Sequence, residues 1–149
     1  MDAQTHHFRN LDTVIDQVHG LFDAWEELLP PRIDVNLLYQ LKLAVHEWLA
    51  NLVQHANFET EAPDVSLTVE PDGDRLRCVI EDNSDGFVLD AHLEIEPEYL
   101  DSLPERGMGL LILKICTEKL EYQRSEYGGF NRLAFYVSAE QEAWPDILS

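Results

Sequence analysis

The chain has 149 residues, 45% hydrophobic and 26% charged, the size and make-up of one domain with its own core. Its 29 acids against 10 bases give a net charge of −19, which argues against direct nucleic-acid binding, because neutralising phosphates takes clustered Lys and Arg. No apolar run of about 18 residues is present to span a membrane.

The first ten residues, MDAQTHHFRN, lack the basic-then-apolar layout of a secretory signal. Cys78 and Cys116 have no metal-ligand spacing and sit among apolar neighbours, as buried thiols of a reducing cytoplasm do. The acidity has two readings, a face for a basic partner or a salt-adapted proteome. The even spread of acids along the chain leans toward the second.

Residues 5–10 are polar and allow at most a short edge strand. Leu11, Val14, Ile15, Val18, Leu21, Phe22, Trp25, Leu28 and Leu29 recur at helical spacing. This predicts a helix over 11–29, capped by Asn10 or Asp12 and stopped by Pro30-Pro31. Asp34 is placed to cap a second helix running to about Asn57. The period then switches to two. Val65, Leu67 and Val69 alternate with polar residues, Pro71-Asp72-Gly73-Asp74 supplies a turn, and Leu76, Cys78 and Ile80 continue the pattern. Residues 88–104 form an acidic connection long enough to suggest a functional or mobile loop. Arg106-Gly107-Met108-Gly109 opens an apolar helix, and strands are predicted over 119–126 and 130–138 around Gly128-Gly129. This order predicts a single α+β domain over residues 1–149, a two-layer sandwich of one sheet with helices on one face.

Three features carry chemistry. In the second helix Glu47, Asn51 and His55 stand at i, i+4 and i+8, each step turning about 40°, so they form one stripe at the margin of the apolar arc. A carboxylate and a carboxamide one turn apart could ligate a cation or orient a water. At the end of the 75–82 run, Asp82 shares the face of Leu76, Cys78 and Ile80, a costly place for a carboxylate unless it is hydrogen-bonded or serves a ligand. Gly107 and Gly109, two apart at a helix start, allow an anion to approach backbone N–H groups at the positive end of the helix dipole. No Gly-Lys-Ser/Thr follows, so this is not a P-loop, and no strand leads into it as in a dinucleotide fingerprint. Together the three suggest a nucleotide with Mg²⁺.

The segments EWLANLVQHA, EDNSDGF and ERGMGLLIL, in that order and spacing, resemble the N, G1 and G2 boxes of the GHKL ATPase/kinase superfamily. The resemblance covers residues 8–138 and is strongest to small stand-alone bacterial anti-sigma-factor serine/threonine kinases. It implies the histidine-kinase-like ATPase fold, a mixed sheet covered on one face by helices. It also implies binding of Mg-ATP and phosphorylation of a serine or threonine on a STAS-domain anti-sigma antagonist, with a sigma factor as the second partner. Carried over by position, Glu47 matches the general base, Asn51 the Mg²⁺-coordinating asparagine and His55 the histidine after it. Asp82 matches the adenine-recognising aspartate, Gly86 the later G1 glycine, and Arg106, Gly107, Met108 and Gly109 the phosphate-holding end of the lid. The family often dimerises, so a homodimer is compatible with the resemblance.

Two positions depart from the pattern. Ser84 stands where the first G1 glycine is usual, and the threonine of the closing strand is absent, with Asn131 the nearest polar residue. They motivate an alternative reading, a nucleotide-gated or non-catalytic interaction module on the same fold. No phosphoacceptor helix occurs in the chain, so a complete sensor histidine kinase is not expected.

Overall fold

The computed structural model describes residues 2–56, 58, 62–85, 113–124 and 129–139. They form β1 (Gln4–Phe8), α1 (Val14–Glu26), α2 (Val35–His55), β2 (Val65–Asp72), β3 (Arg75–Asp82), β4 (Glu118–Gln123) and β5 (Asn131–Val137). Residues 113–116 are also helical.

The helices start where local chemistry directs them. The Asp34 side chain accepts a hydrogen bond from the Asn36 N–H at 2.9 Å, capping α2 as expected. Asp34→Ala is therefore expected to cost about 1 kcal/mol, a fall of roughly 2–4 °C in melting temperature for a domain of this size, readable by calorimetry. At α1 the expected cap is corrected. Thr13 holds the N-cap position without a side-chain cap, while Asn10 Oδ1 accepts from the Asp12 N–H at 2.9 Å and makes the preceding turn.

The sheet order is β1-β2-β3-β5-β4, and every pairing among the described residues is antiparallel. The α+β class stands, but the expected mixed sheet is corrected to an antiparallel one. After β3 the chain enters the far edge of the sheet as β4 and returns beside β3 as β5. That return sets β5 antiparallel to both neighbours. β2 and β3 join through Gly73-Asp74, with Gly73 at φ +63, a left-handed conformation that glycine adopts freely at the tip of a hairpin. β1 forms despite its polar sequence because pairing with β2 satisfies its backbone, and its last residue, Phe8, is fully buried.

One face of the sheet carries Val65, Leu67, Val69, Leu76, Cys78, Ile80, Leu133, Phe135 and Val137, all buried. In one core with them lie Val18, Phe22 and Trp25 of α1 and Leu41, Val45, Trp48 and Leu52 of α2. The Trp48 ring meets Tyr122 of β4 edge-on, centroids 5.4 Å apart. The opposite face buries Val79 but is otherwise largely polar and half-buried, with ion pairs Arg77–Glu70 at 3.1 Å and Arg75–Glu118 at 2.9 Å. Alternation of apolar and polar residues thus turns one face to the helices and leaves the other to water.

Candidate functional site

The period of two that buries Leu76, Cys78 and Ile80 carries Asp82 onto the same inner face at the end of β3, where it is 1% exposed. Register places Asn131, the first residue of β5, directly opposite it, and Asn131 is buried too. The chain then makes an Asx turn, in which the Ser84 N–H donates to Asp82 Oδ1 at 3.0 Å. The Ser84 hydroxyl donates to the same oxygen at 2.5 Å, and Asn131 Nδ2 donates to it at 3.0 Å. Asn131 Nδ2 also donates to the Ser84 carbonyl at 2.8 Å. Asp82 Oδ2, by contrast, is buried and meets no donor among the described residues.

An unpaired buried polar atom costs about 1–3 kcal/mol, more when it belongs to a charged group. The local network secures one oxygen of Asp82 and leaves the other for something else. The loop beyond is held on both sides. Asn83 Oδ1 accepts from the Asp64 N–H at 2.8 Å, Asn83 Nδ2 donates to the Ala62 carbonyl at 2.8 Å, and Arg124 Nε donates to the Asp85 carbonyl at 2.8 Å.

The helical stripe supplies a second atom of this kind. Glu47 and Asn51 lie one turn apart on α2 and are half-buried, as residues at the margin of the apolar arc should be. Asn51 Nδ2 is buried and has no hydrogen-bond partner among the described residues. A half-turn of the carboxamide exchanges this donor for the acceptor Oδ1, so Asn51 can serve either a phosphate oxygen or a cation. His55 is the last residue of α2, and its side chain lies outside the described residues.

α2 is fixed to the short helix ahead of β4 by a buried bond from Gln40 Nε2 to the Cys116 carbonyl at 2.7 Å. Sequence reasoning missed Gln40, although a glutamine between Leu38 and Leu41 on an apolar face was a usable signal. Burial pushes the Cys116 thiol up to about 12, and the negative charge of Glu47 adds to the shift. Glu47 therefore lies close enough to act electrostatically on the short helix at 113–116. Burial also raises the Cys78 thiol. Both cysteines are expected to resist iodoacetamide at pH 8 in the native state and to react on unfolding, since the thiolate is the nucleophile. Mass spectrometry of the labelled protein checks this. Because the folded state holds the thiols protonated, the stability they contribute is complete below about pH 8.5, the pKa of a free cysteine, and declines as pH rises toward 12.

Asp82 and Asn131 are thus brought together with Ser84, while Glu47 and Asn51 share one helix margin. Gly86, Arg106, Gly107, Met108 and Gly109 lie outside the described residues.

The model of the histidine kinase-like ATPase domain matches residues 12–134. The chain belongs to this family. Relatives within reach include the Serine-protein kinase RsbW of Bacillus subtilis (strain 168), 32% identical over 88 residues, covering 56% of this chain and 55% of that protein. The Serine-protein kinase RsbW of Bacillus velezensis is 29% identical over 106 residues, covering 68% of this chain and 66% of that protein. The chain thus spans between about half and two thirds of these relatives. Among solved structures, a histidine kinase domain from the Erythrobacter litoralis EL346 blue-light activated histidine kinase matches with a TM-score of 0.50 at 16% identity. That match covers 92% of this chain and 62% of the other, and the likeness is one of fold.

The two positions at which the sequence departs from the resembled boxes fall at one place. Ser84 and Asn131 are hydrogen-bonded to each other and to the same oxygen of Asp82. Lys119 is the only non-glycine residue with positive φ among the described residues, so Ser84 sits in ordinary backbone and needs no glycine. The signal available in the sequence was Asp82-Asn83-Ser84 at a strand end, the spacing of an Asx turn.

Proposed function

We propose that the chain is an ATP-dependent protein serine/threonine kinase of the anti-sigma type, a single domain acting in the cytoplasm. The observation that carries this reading is Asp82 Oδ2, a buried carboxylate oxygen that meets no donor among the described residues, beside an oxygen that has three. An exocyclic amino group of a purine is the donor that such an acceptor suits. Family membership and the likeness to two proteins named serine-protein kinase support the same activity.

In this reading Asn51 Oδ1 would ligate Mg²⁺. Among the described residues no three His, Cys, Asp or Glu side chains converge to hold a metal. A cation at Asn51 would thus complete its shell with phosphate oxygens and water, as Mg²⁺ commonly does. The bound ATP supplies the phosphoryl group. Gly86, Arg106, Gly107, Met108 and Gly109 hold its phosphates, with His55 at the end of the stripe. Glu47 takes the proton from a serine or threonine hydroxyl as that oxygen bonds to the γ-phosphorus and the bond to ADP breaks. Positioning and charge stabilisation supply most of the rate, and general-base assistance the rest.

The acceptor protein is a STAS-domain antagonist, and a sigma factor is the second partner. No helix among the described residues is long and apolar enough to cross a membrane. Titration calorimetry with Mg-ADP, followed by labelled Mg-ATP and a STAS-domain partner, tests the proposal. Heat of binding and transfer of label to the partner are expected. Binding without transfer would leave a nucleotide-gated interaction module, and the absence of both would remove the nucleotide altogether.

A further inference from the structure

We propose that Ser84 and Asn131 are positioning residues that make Asp82 a reader with a single acceptor, so that the site takes adenine and rejects guanine. The inference rests on the nucleotide reading above and assigns base selection within it to two residues of this chain.

A carboxylate grips guanine through two adjacent donors, the ring N1–H and the exocyclic amino group, one to each oxygen. Adenine offers its exocyclic amino group beside an unprotonated N1, which is an acceptor and repels a second carboxylate oxygen. The number of free oxygens on the carboxylate therefore decides which base it prefers. A carboxylate oxygen has two lone pairs, and Asp82 Oδ1 already receives the Ser84 N–H at 3.0 Å, the Ser84 hydroxyl at 2.5 Å and Asn131 Nδ2 at 3.0 Å. It has no capacity for guanine N1–H. Oδ2 is buried and receives no bond from the described residues, so one acceptor remains.

The carboxylate is also kept from turning. Rotation about its Cβ–Cγ bond would break three bonds at once, two of them from Ser84. Asn131 is locked by its second bond, to the Ser84 carbonyl at 2.8 Å, and by its place opposite Asp82 across the β3–β5 ladder. A glycine at position 84 would supply only the backbone N–H.

Titration calorimetry of the full chain with Mg-ADP and with Mg-GDP tests this on wild type, S84A, N131A, S84A/N131A and S84T. Circular dichroism and thermal melting establish that each variant is folded. Wild type is expected to prefer ADP by two orders of magnitude or more. In S84A/N131A, Oδ1 keeps one donor, and the ADP-to-GDP affinity ratio is expected to fall by about tenfold or more. Each single variant leaves two donors on Oδ1, enough to fill its two lone pairs, and is expected to hold close to the wild-type ratio, as is S84T, which keeps the hydroxyl. A general loosening of the structure would weaken both nucleotides together and leave the ratio unmoved. The proposal is overturned if folded S84A/N131A keeps the wild-type ratio; if that variant does not fold, the same outcome in S84A/N131V, which also leaves Oδ1 one donor, overturns it. Wild type that binds ADP and GDP equally refutes the base selection alone. Wild type that binds neither at millimolar concentration refutes the nucleotide reading beneath it.

Discussion

Glu47→Gln is expected to slow phosphoryl transfer by about 10²- to 10⁴-fold while leaving Mg-ADP affinity within about twofold of wild type, because general-base assistance is typically of that size. The carboxamide keeps the shape of the side chain and loses the ability to accept a proton. The side chain is half-buried on α2, one turn before Asn51 and on the margin of the core, so the substitution leaves the apolar arc intact. Single-turnover transfer from labelled ATP to a STAS-domain partner, read beside calorimetry, separates the two effects. Transfer at the wild-type rate would remove Glu47 from the base role. Loss of binding and transfer together would place it in nucleotide or metal binding instead.

Asp82→Asn is expected to lower ADP affinity by about 100-fold, as loss of a charged hydrogen bond predicts. The amide oxygen can still accept from Ser84 and Asn131, which turns the amide nitrogen toward the base, donor against donor. The same substitution is expected to leave the melting temperature of the nucleotide-free protein at or above wild type. It removes a buried carboxylate one oxygen of which meets no donor among the described residues, an arrangement that stability alone does not favour. Melting and calorimetry on one preparation decide the matter. A melting temperature lowered by many degrees with ADP affinity preserved would make Asp82 a structural residue.

Much of this was legible along the chain. The heptad-like spacing from Val14 to Trp25 and from Leu37 to Leu52 announced two amphipathic helices, and Asp34 announced where the second begins. Alternation from Val65 to Ile80 fixed a hairpin and put Asp82 on its inner face before any partner was known. The stripe of Glu47 and Asn51 followed from helical geometry alone. What periodicity could not supply was the environment of these groups. Ser84 looked like a departure from a glycine and proves to be a donor to Asp82. Asn131 looked like a substitute for a missing threonine and proves to be a neighbour of both.

The division has a physical cause. Helix and strand periods, caps and tight turns arise from covalent geometry and contacts between residues a few positions apart, so the sequence by itself determined the elements and the face that each side chain takes. Strand order and register between β3 and β5 depend on contacts between residues far apart in the chain, from Asp82 with Asn131 to Leu76 with Val137, selected by burial of the whole inner face of the sheet. Only that tertiary choice made the sheet antiparallel, drew β1 to its edge and set Asn131 against Asp82. It left Asp82 with three donors on one oxygen and none among the described residues on the other.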